Sequence, residues 1–230
     1  MRLFAIGDLH LSLGVPEKPM DIFRGWENHM ALLEENWRRT ITDADTIVLA
    51  GDSSWGMQLE EALADFQFIN SLPGQKILLK GNHDYWWTSK KKMDDFFRAN
   101  GLETLHILHN NCYPFDRFGI CGTRGWVNIG NEEPQNAKVL AREVQRLEVS
   151  IAAAEAAGLE PIVFLHYPPM YGSTNNYDIL DVLYRHDIRR CYYGHLHGPS
   201  HKKAITGNQE GILFRMISGD FLEFQPEFVQ

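Results

Sequence analysis

Short apolar runs recur along the chain, and each is bounded by glycine, charged residues or amides. They lie at 2–8, 46–52, 76–82, 118–123, 161–166, 190–195 and 212–220. Several carry apolar residues at consecutive positions, which is typical of strands covered on both faces. The later runs follow one another closely, so we expect one sheet to be partly antiparallel. These runs predict a β-rich core built from strands of ordinary length.

Segments with helical periodicity separate most of these runs. They span roughly 21–40, 58–70, 88–100, 135–157 and 176–186. The fourth is rich in Ala, Glu and Arg and ends before Gly158, a typical C-terminal stop. Trp26 and Trp37 are expected to pack on the face of the first helix. The alternation of strand and helix predicts βα units in a layered α/β domain.

Residue types that bind metals follow five of the predicted strands directly. The stretches are GDLH (7–10), GDSSW (51–55), GNHD (81–84), LHYPP (165–169) and GHLH (194–197). In layered α/β proteins, sites form beyond the carboxyl ends of strands, where several loops converge. The shared position of these polar residues therefore predicts one common site.

The spacing within these stretches separates ligands from other roles. Residues two apart in an extended segment point the same way, so His195 and His197 can reach one point, as can Asp8 and His10. Asn82 and its neighbour point in different directions. If Asn82 faces a metal ion, the adjacent His83 is free to serve a substrate, and Asp84 can orient it.

The candidate ligands are carboxylates, one amide and imidazoles, without thiolate: Asp8, Asp52, Asn82, His10, His166, His195 and His197. Such a mixed oxygen and nitrogen set suits Mn, Fe, Zn or Ni better than copper(I) or a structural zinc. Seven donors exceed what one catalytic ion with an open position uses, but they fit two ions if one carboxylate bridges. Taken alone, Asp8 would be a helix cap and His166 would be a structural histidine. Taken together, the seven residues predict a metal centre.

The same elements, in the same order, resemble the calcineurin-like metallophosphoesterase superfamily. Its motif series D-x-H, G-D, G-N-H-D, H and G-H-x-H is present between residues 8 and 197. The resemblance implies a four-layer α-β-β-α sandwich, in which two mixed β-sheets are flanked by helices. Many relatives carry a second acid shortly after G-D. Here Ser53, Ser54 and Trp55 follow Asp52, so that acid is absent, although no metal ligand is lost.

The resemblance also implies how the ligands are divided between two divalent or trivalent metal ions. One ion is assigned to Asp8, His10 and His197, the other is assigned to Asn82, His166 and His195, and Asp52 bridges the two. The implied activity is that of a dimetal-dependent phosphoesterase, which hydrolyses a phosphomonoester or a phosphodiester by attack of a metal-bridging hydroxide.

The histidine of the G-N-H motif has a separate role in this family. Here it is His83, which is expected to contact the phosphate or to protonate the leaving group as a general acid. The following acid, Asp84, is expected to orient it. Proton donation of this kind contributes about 10²–10⁴-fold to a rate.

Substrate contacts are predicted less directly from the sequence. Arg124 follows a strand and would either contact an anionic substrate or form a salt bridge. Tyr85, Trp86 and Trp87 follow GNHD and would form an aromatic lip over the site, with at least one tryptophan in the core instead. The polar loop 171–178 lies between two ligand elements, and its candidate contacts are Ser173, Thr174 and Asn175.

Length and composition set the broad class. The 230 residues fit one domain, 1–230, and no apolar run approaches the ~20 residues of a membrane span. The beginning, MRLFAIGDLH, does not read as a signal peptide, so we expect a cytoplasmic protein without a membrane partner. Its three cysteines lack CxxC spacing and are expected to be free thiols.

Two other functions compete with the phosphoesterase. A net charge of -8 argues against a broad nucleic-acid face, which disfavours a nuclease, although SKKK at 89–92 is either a local basic patch or a solvated helix start. A non-catalytic metal-binding scaffold of the same fold usually lacks ligands that are all present here. A small phosphorylated substrate is therefore the expected partner, and the fold does not choose between monoester and diester.

Overall fold

The computed structural model describes residues 1–127 and 134–230. The strands are β1 (Leu3–Ile6), β2 (Thr46–Leu49), β3 (Gln75–Leu78), β4 (Leu105–Ile107), β5 (Tyr113–Phe115), β6 (Phe118–Thr123), β7 (Glu160–Leu165), β8 (Met170–Tyr171), β9 (Thr174–Asn175), β10 (Arg190–Tyr193), β11 (Gly207–Gln209), β12 (Ile212–Met216) and β13 (Glu227–Phe228). The helices are α1 (His29–Thr40), α2 (Leu63–Ser71), α3 (Lys90–Ala99), α4 (Pro134–Ala156) and α5 (Tyr177–Arg185), with a 3-10 helix at Gly198–Lys203.

The described strands form two large sheets and one small hairpin. The first sheet has the order β13-β1-β2-β3-β4, and the second has the order β11-β12-β10-β7-β6-β5. The inner strands of both are parallel, whereas β13, β11 and β5 pair antiparallel to their neighbours at the edges. Both sheets are therefore mixed, and the predicted antiparallel component lies at their edges.

Alternate residues of β1 show how the layers stack. Leu3 and Ala5 lie in a cluster with residues of the second sheet, such as Phe164, whereas Phe4 and Ile6 lie in a cluster with residues of α1, α2 and α3. A third cluster joins the other face of the second sheet to α4 and α5. Because successive strand residues point to opposite faces, these clusters define a helix, sheet, sheet, helix order. The four-layer sandwich is confirmed.

The first predicted helix is shorter than its periodicity suggested. Residues 21–40 were expected to be helical, but α1 begins at His29, and residues 12–28 form a loop. Within this segment the chain turns through left-handed φ values of 90° at Gly25 and 55° at Asn28, immediately before the helix. Trp26 therefore lies in a loop, not on a helix face, and this loop reaches the candidate site.

The predicted strands also end a few residues early. Strand β2 stops at Leu49, and the next residues turn through left-handed φ values of 92° at Gly51 and 52° at Asp52. The polar residues thus belong to loops that leave the sheet, as a site beyond the strand ends requires.

No helix among the described residues is long and apolar enough to cross a membrane. The three cysteines are free, with Cys121 and Cys191 buried and Cys112 half-buried.

Candidate metal centre

The loops that follow β1, β2, β3, β7 and β10 converge at one edge of the sandwich. The backbone amide of Asp8 donates to the carbonyl of Gly51 at 2.9 Å, which joins the first two loops. His166, after β7 in the second sheet, lies with Nδ1 3.0 Å from the carbonyl oxygen of Ala50 in the first. The site therefore bridges the two sheets, and residues far apart in sequence become neighbours.

Several candidate ligands adopt a backbone conformation that most residues avoid. Asp8, His10, Asp52 and His195 have φ values of 59°, 45°, 52° and 72°. Left-handed backbone at such residues costs of order 1–3 kcal/mol each and tends to concentrate at functional sites. Here the surrounding hydrogen bonds enforce it: His10 N donates to the Asp52 carbonyl and His195 N donates to Asp8 Oδ2, both at 2.9 Å.

Glycine is required immediately before Asn82 and immediately before His195. A Cβ added at Gly81 would lie 2.0 Å from Asp52 Oδ1, and one at Gly194 would lie 2.5 Å from Asp8 Oδ2. Real side chains do not approach this closely. The two glycines therefore let the carboxylates of Asp52 and Asp8 sit directly against the neighbouring backbone.

The first ligand group contains Asp8, His10 and His197. One ligand atom from each lies within 4.8 Å of the others. His10 Nε2 and His197 Nε2 are 3.4 Å apart, and His197 Nε2 is 3.6 Å from Asp8 Oδ1. These atoms point at a common centre, as three ligands of one ion would.

The second group contains Asp52, His166 and His195, again with ligand atoms within 4.8 Å of one another. His166 Nε2 lies 3.2 Å from His195 Nδ1 and 2.7 Å from Asn82 Oδ1, so the amide joins this group. Asp52 Oδ2 is 3.4 Å from His166 Nε2 and 3.7 Å from His10 Nε2. This oxygen therefore lies between the two groups, and all seven predicted ligands come together.

The unpaired oxygens in this cluster fit a pair of cations. Asp8 Oδ1 and Asp52 Oδ2 are buried, and neither has a hydrogen-bond partner in the described part of the chain. Asp8 Oδ1 lies 3.6 Å from His197 Nε2, whose raised pKa gives it a positive neighbour, whereas Asp52 Oδ2 lies beside His10 and His166, whose pKa values are lowered. A buried carboxylate oxygen without a positive partner is costly. Two cations would supply that partner to both oxygens.

The electrostatics of the same groups agree with metal binding. Burial, followed by the charges of Asp84 and Asp8, raises the pKa of Asp52 well above its usual range. Burial lowers the pKa of His10 well below normal, and burial together with His166 lowers the pKa of His195 to about 3. These imidazoles are thus neutral near pH 7, the form that coordinates a metal.

Asp84 holds the loops together through backbone amides. Its carboxylate accepts hydrogen bonds from the amides of Asp52, Ser53 and Gly81 at 2.9, 2.9 and 2.7 Å, and from Trp86 Nε1 at 3.0 Å. These bonds tie the loop after β2 to the loop after β3. That Asp84 orients the His83 imidazole stays a prediction, and these contacts favour an indirect route through the backbone.

His83 lies beside both ligand groups without belonging to either. Its amide donates to Asp52 Oδ1 at 2.7 Å, and its ring centroid is 5.6 Å from that of His10 and 4.5 Å from that of Trp55. Burial, followed by the charges of His166 and His197, lowers the pKa of this imidazole. The ring is half-buried at the edge of the two ligand groups.

Asp220 is a residue of the site that the sequence analysis missed. Its Oδ1 lies 2.9 Å from His197 Nδ1, and its Oδ2 accepts from Gly198 N at 3.0 Å. His201 Nε2 is 3.2 Å from the same Oδ2. Burial lowers the pKa of His197, but the carboxylates of Asp8 and Asp220 outweigh it and raise that pKa to about 10. A carboxylate behind a ligand histidine fixes the ring and strengthens it as a donor.

A signal for Asp220 was present in the sequence. Ser218-Gly219-Asp220 follows β12, as Gly7-Asp8 follows β1 and Gly51-Asp52 follows β2. The motif series of the resemblance ends at His197, so this third G-D pair at a strand end was not given a role.

Removing the Asp220 carboxylate is expected to weaken the first ligand group. In Asp220→Ala, His197 loses its orienting partner, and we expect metal affinity to fall about 10–100-fold. Asp220→Asn should recover part of this loss, because its amide oxygen still accepts from His197 Nδ1. Asp187→Asn is the matched control, since Asp187 is exposed and pairs with Arg189. Chelator competition titrations measure the affinity, and equal affinities in all four proteins would refute a positioning role.

Of the predicted substrate contacts, Arg124 pairs with another side chain of the protein, whereas Tyr85 is exposed. Arg124 Nη2 lies 3.4 Å from Glu143 Oε1, and its guanidinium is 4.6 Å from the Trp126 ring centroid. The salt-bridge alternative is therefore what the structure shows, and a substrate contact by Arg124 stays a prediction. Tyr85 is exposed, with its ring centroid 6.1 Å from that of His83. It has the access that an aromatic lip requires.

The two tryptophans after Tyr85 point inward to different degrees. Trp86 is buried against Phe66, with ring centroids 4.8 Å apart, and Trp87 is half-buried. At least one tryptophan of this stretch is thus a core residue.

Residues 171–178, predicted as a loop, instead span the β8–β9 hairpin and the start of α5, and they border more than one cavity. Thr174 and His195 both line a cavity of about 460 Å³, whereas Asn175 lines a separate one beside Tyr184. Ser173 is exposed. Of the three predicted contacts in this segment, Thr174 shares a cavity with a candidate ligand.

Comparison with known families agrees with this geometry. The model of the calcineurin-like phosphoesterase family matches residues 1–199, and the chain belongs to this family. The match spans every predicted ligand. A search of curated proteins finds no match.

Solved structures share the fold at low sequence identity. The phosphopantetheinyl hydrolase of Mycobacterium tuberculosis superposes with a TM-score of 0.58 at 14% identity, covering 99% of this chain and 95% of that one. A protein of unknown function from Aquifex aeolicus gives 0.52 at 16% identity, with the same coverage of 99% and 95%. A protein from Thermus thermophilus gives 0.52 at 14% identity, covering 85% and 82%. These similarities support the fold.

Proposed function

We propose that this protein is a dimetal-dependent phosphoesterase that hydrolyses a small phosphomonoester or phosphodiester. The observation that carries the proposal is the position of Asp52 Oδ2, buried without a donor and 3.4 and 3.7 Å from imidazole nitrogens of the two ligand groups. A carboxylate oxygen placed in this way suits a bridge between two cations. When bound, such cations neutralise phosphoryl oxygens and supply hydroxide at neutral pH.

The residues of the chain divide into three roles in this proposal. The seven ligands hold the cations, and Asp220 keeps His197 in the ligand orientation. Asp84 fixes the geometry of the loops that carry Asp52 and Asn82. His83 contacts the phosphoester and donates a proton to the leaving oxygen, because its ring borders the centre while its nitrogens belong to neither ligand group. Burial lowers the pKa of this imidazole in the free protein, and the negative charge of a bound phosphoester would favour its protonated form.

The metals that suit the donor set are Mn, Fe, Zn and Ni. We propose manganese as the first to test, because a hard carboxylate oxygen contributes to each ligand group and the amide oxygen of Asn82 adds to the second. A cytoplasmic location and a single domain over 1–230 complete the proposal.

A metal-resolved activity screen tests the proposed function. The full chain is stripped with a chelator, reloaded with each of the four metals and assayed with 4-nitrophenyl phosphate and bis(4-nitrophenyl) phosphate. We expect turnover of at least one substrate that requires metal and disappears with chelator. Binding of two ions without turnover of either substrate would contradict the proposal and favour a metal-binding scaffold.

A further inference from the structure

An apolar pocket of about 430 Å³ opens beside the first ligand group. Its lining combines apolar side chains, one cation and three imidazoles of the centre: Met20, Phe23, Arg24, Trp26, Trp55, Pro199, His10, His83 and His197. Pockets for small ligands typically measure about 300–1,000 Å³ and are mainly apolar with a few polar groups. The size and lining of this pocket fall within that description.

The loop 12–28 builds the outer wall and is anchored to the rest of the protein. Lys18 Nζ donates to the carbonyl of Trp55 at 3.0 Å, and the amide of Leu13 donates to Asp65 Oδ1 at 2.7 Å. Successive turns then shape the wall: Phe23 N donates to Met20 O at 3.0 Å, and Trp26 N donates to Phe23 O at 3.1 Å. The pocket is therefore preformed, which lowers the entropic cost of binding.

Two indole rings make the pocket continuous with the metal centre. The Trp26 centroid lies 5.5 Å from the rings of both His10 and His197. The Trp55 centroid lies 5.1 Å from His10 and 4.5 Å from His83. A ligand in the pocket would therefore meet aromatic surfaces next to the first ligand group and next to the proposed proton donor.

The polar atoms of the pocket are few and specific. Trp55 lines the pocket, and its Nε1 is buried without a hydrogen-bond partner within the described residues. Arg24 is exposed and adds a positive charge to the lining. Phe23 is 53% exposed, so much of its apolar ring is in contact with solvent. A ligand in the pocket could cover this surface.

We infer that this pocket binds a planar aromatic ring carried by the leaving group of the phosphoester substrate. The assignment to the leaving group rests on the proposed function, because His83, the proposed proton donor, forms part of the pocket wall. Aromatic walls favour a flat ring, since stacked and edge-to-face contacts add to the gain from burial. A small alkyl group would leave most of this surface in contact with water.

A pair of substrates with similar leaving oxygens tests the inference. We compare 2-naphthylmethyl phosphate with ethyl phosphate, and the methyl diester of each, using the metal-loaded full chain. Both leaving groups are primary alkoxides, so a difference in kcat/KM reports mainly on the ring. We expect the naphthylmethyl ester to be preferred at least about 10-fold, and Phe23→Ala to reduce this preference about 3- to 10-fold. Ile22→Ala is the matched control, because Ile22 is the adjacent residue, is 71% exposed and lies outside the lining.

A binding measurement separates this inference from the proposed function. Isothermal titration calorimetry with 2-naphthylmethanol on the metal-free full chain requires neither metal nor hydrolysis. We expect binding that Phe23→Ala weakens and Ile22→Ala does not. That result without any hydrolysis would support the pocket and contradict the phosphoesterase. Hydrolysis of both esters with equal kcat/KM, insensitive to Phe23→Ala, would overturn the inference and leave the phosphoesterase standing.

Discussion

Asp52→Asn is expected to abolish phosphoester hydrolysis, to reduce the bound metal from two ions to about one, and to stabilise the metal-free protein. The loss of activity should reach at least about 10³-fold, because a bridging carboxylate organises charge stabilisation worth several kcal/mol. The asparagine amide oxygen still accepts the hydrogen bond that His83 N donates to Asp52 Oδ1 at 2.7 Å. The loop should therefore keep its shape.

Although the substitution should remove activity, it should stabilise the metal-free protein, because Asp52 is buried. Burial, followed by the nearby charges of Asp84 and Asp8, raises its pKa well above normal, so its ionised form is strained when no cation is present. A neutral amide of the same shape removes this cost. We expect the melting temperature of the metal-free protein to rise by a few degrees, as about 1 kcal/mol gives in a chain of this size. Metal content by elemental analysis, kcat/KM and thermal unfolding measure the three effects.

Asp45→Asn is the matched control for this substitution. Asp45 is also buried and lies just before the opposite end of β2, where its Oδ2 pairs with Arg2 Nη2 at 2.6 Å. Its replacement should lower stability without changing the metal content. Full activity and two retained ions in Asp52→Asn would refute the bridging role, and a loss of stability in both variants would indicate that Asp52 is structural.

The ligands were predictable because parallel strands bring their carboxyl ends to the same edge. The chain places Asp8, Asp52 and Asn82 after β1, β2 and β3, and it places His166 and His195 after β7 and β10. Residue type and position after a strand were therefore enough to predict that these side chains lie close together. The family match over residues 1–199 supports this prediction.

What the sequence did not reveal depends on how the loops pack. Asp220 carries the same G-D pattern, but its partner His197 is distant along the chain, and only the packed structure brings their atoms to 2.9 Å. Residues 21–28 of the loop were misread as helical because their apolar residues, such as Phe23 and Trp26, have helix-like spacing. They turn toward the metal centre instead of the sheet. Strands such as β8 and β9, with two residues each, are too short to leave a pattern.

Asp84 illustrates a second limit of sequence patterns. Its position next to His83 suggested that it orients the imidazole, but a carboxylate accepts hydrogen bonds from whichever amides the fold brings near. Here these are the amides of Asp52, Ser53 and Gly81. These contacts show that Asp84 joins two neighbouring loops, and its orientation of His83 stays a prediction.

His83→Gln is expected to reduce activity by an amount that depends on the leaving group. An alkoxide needs a proton as it departs, so hydrolysis of an alkyl ester should fall about 10²–10⁴-fold. A 4-nitrophenolate departs without one, so hydrolysis of its ester should fall much less. The metal content should not change, because neither ligand group includes His83. The plot of log kcat against leaving-group pKa should be shallow in the wild-type protein and steep in the variant.

The control for this prediction is His109→Gln, which replaces another half-buried imidazole. Its ring contacts Trp87, with centroids 6.0 Å apart, and it belongs to neither ligand group. Its plot should match that of the wild-type protein. An equal loss across all leaving groups in His83→Gln would contradict proton donation, and it would instead assign His83 to binding the phosphate. The ring of His83 lines the pocket beside Trp55, so a leaving group bound there would lie next to this imidazole.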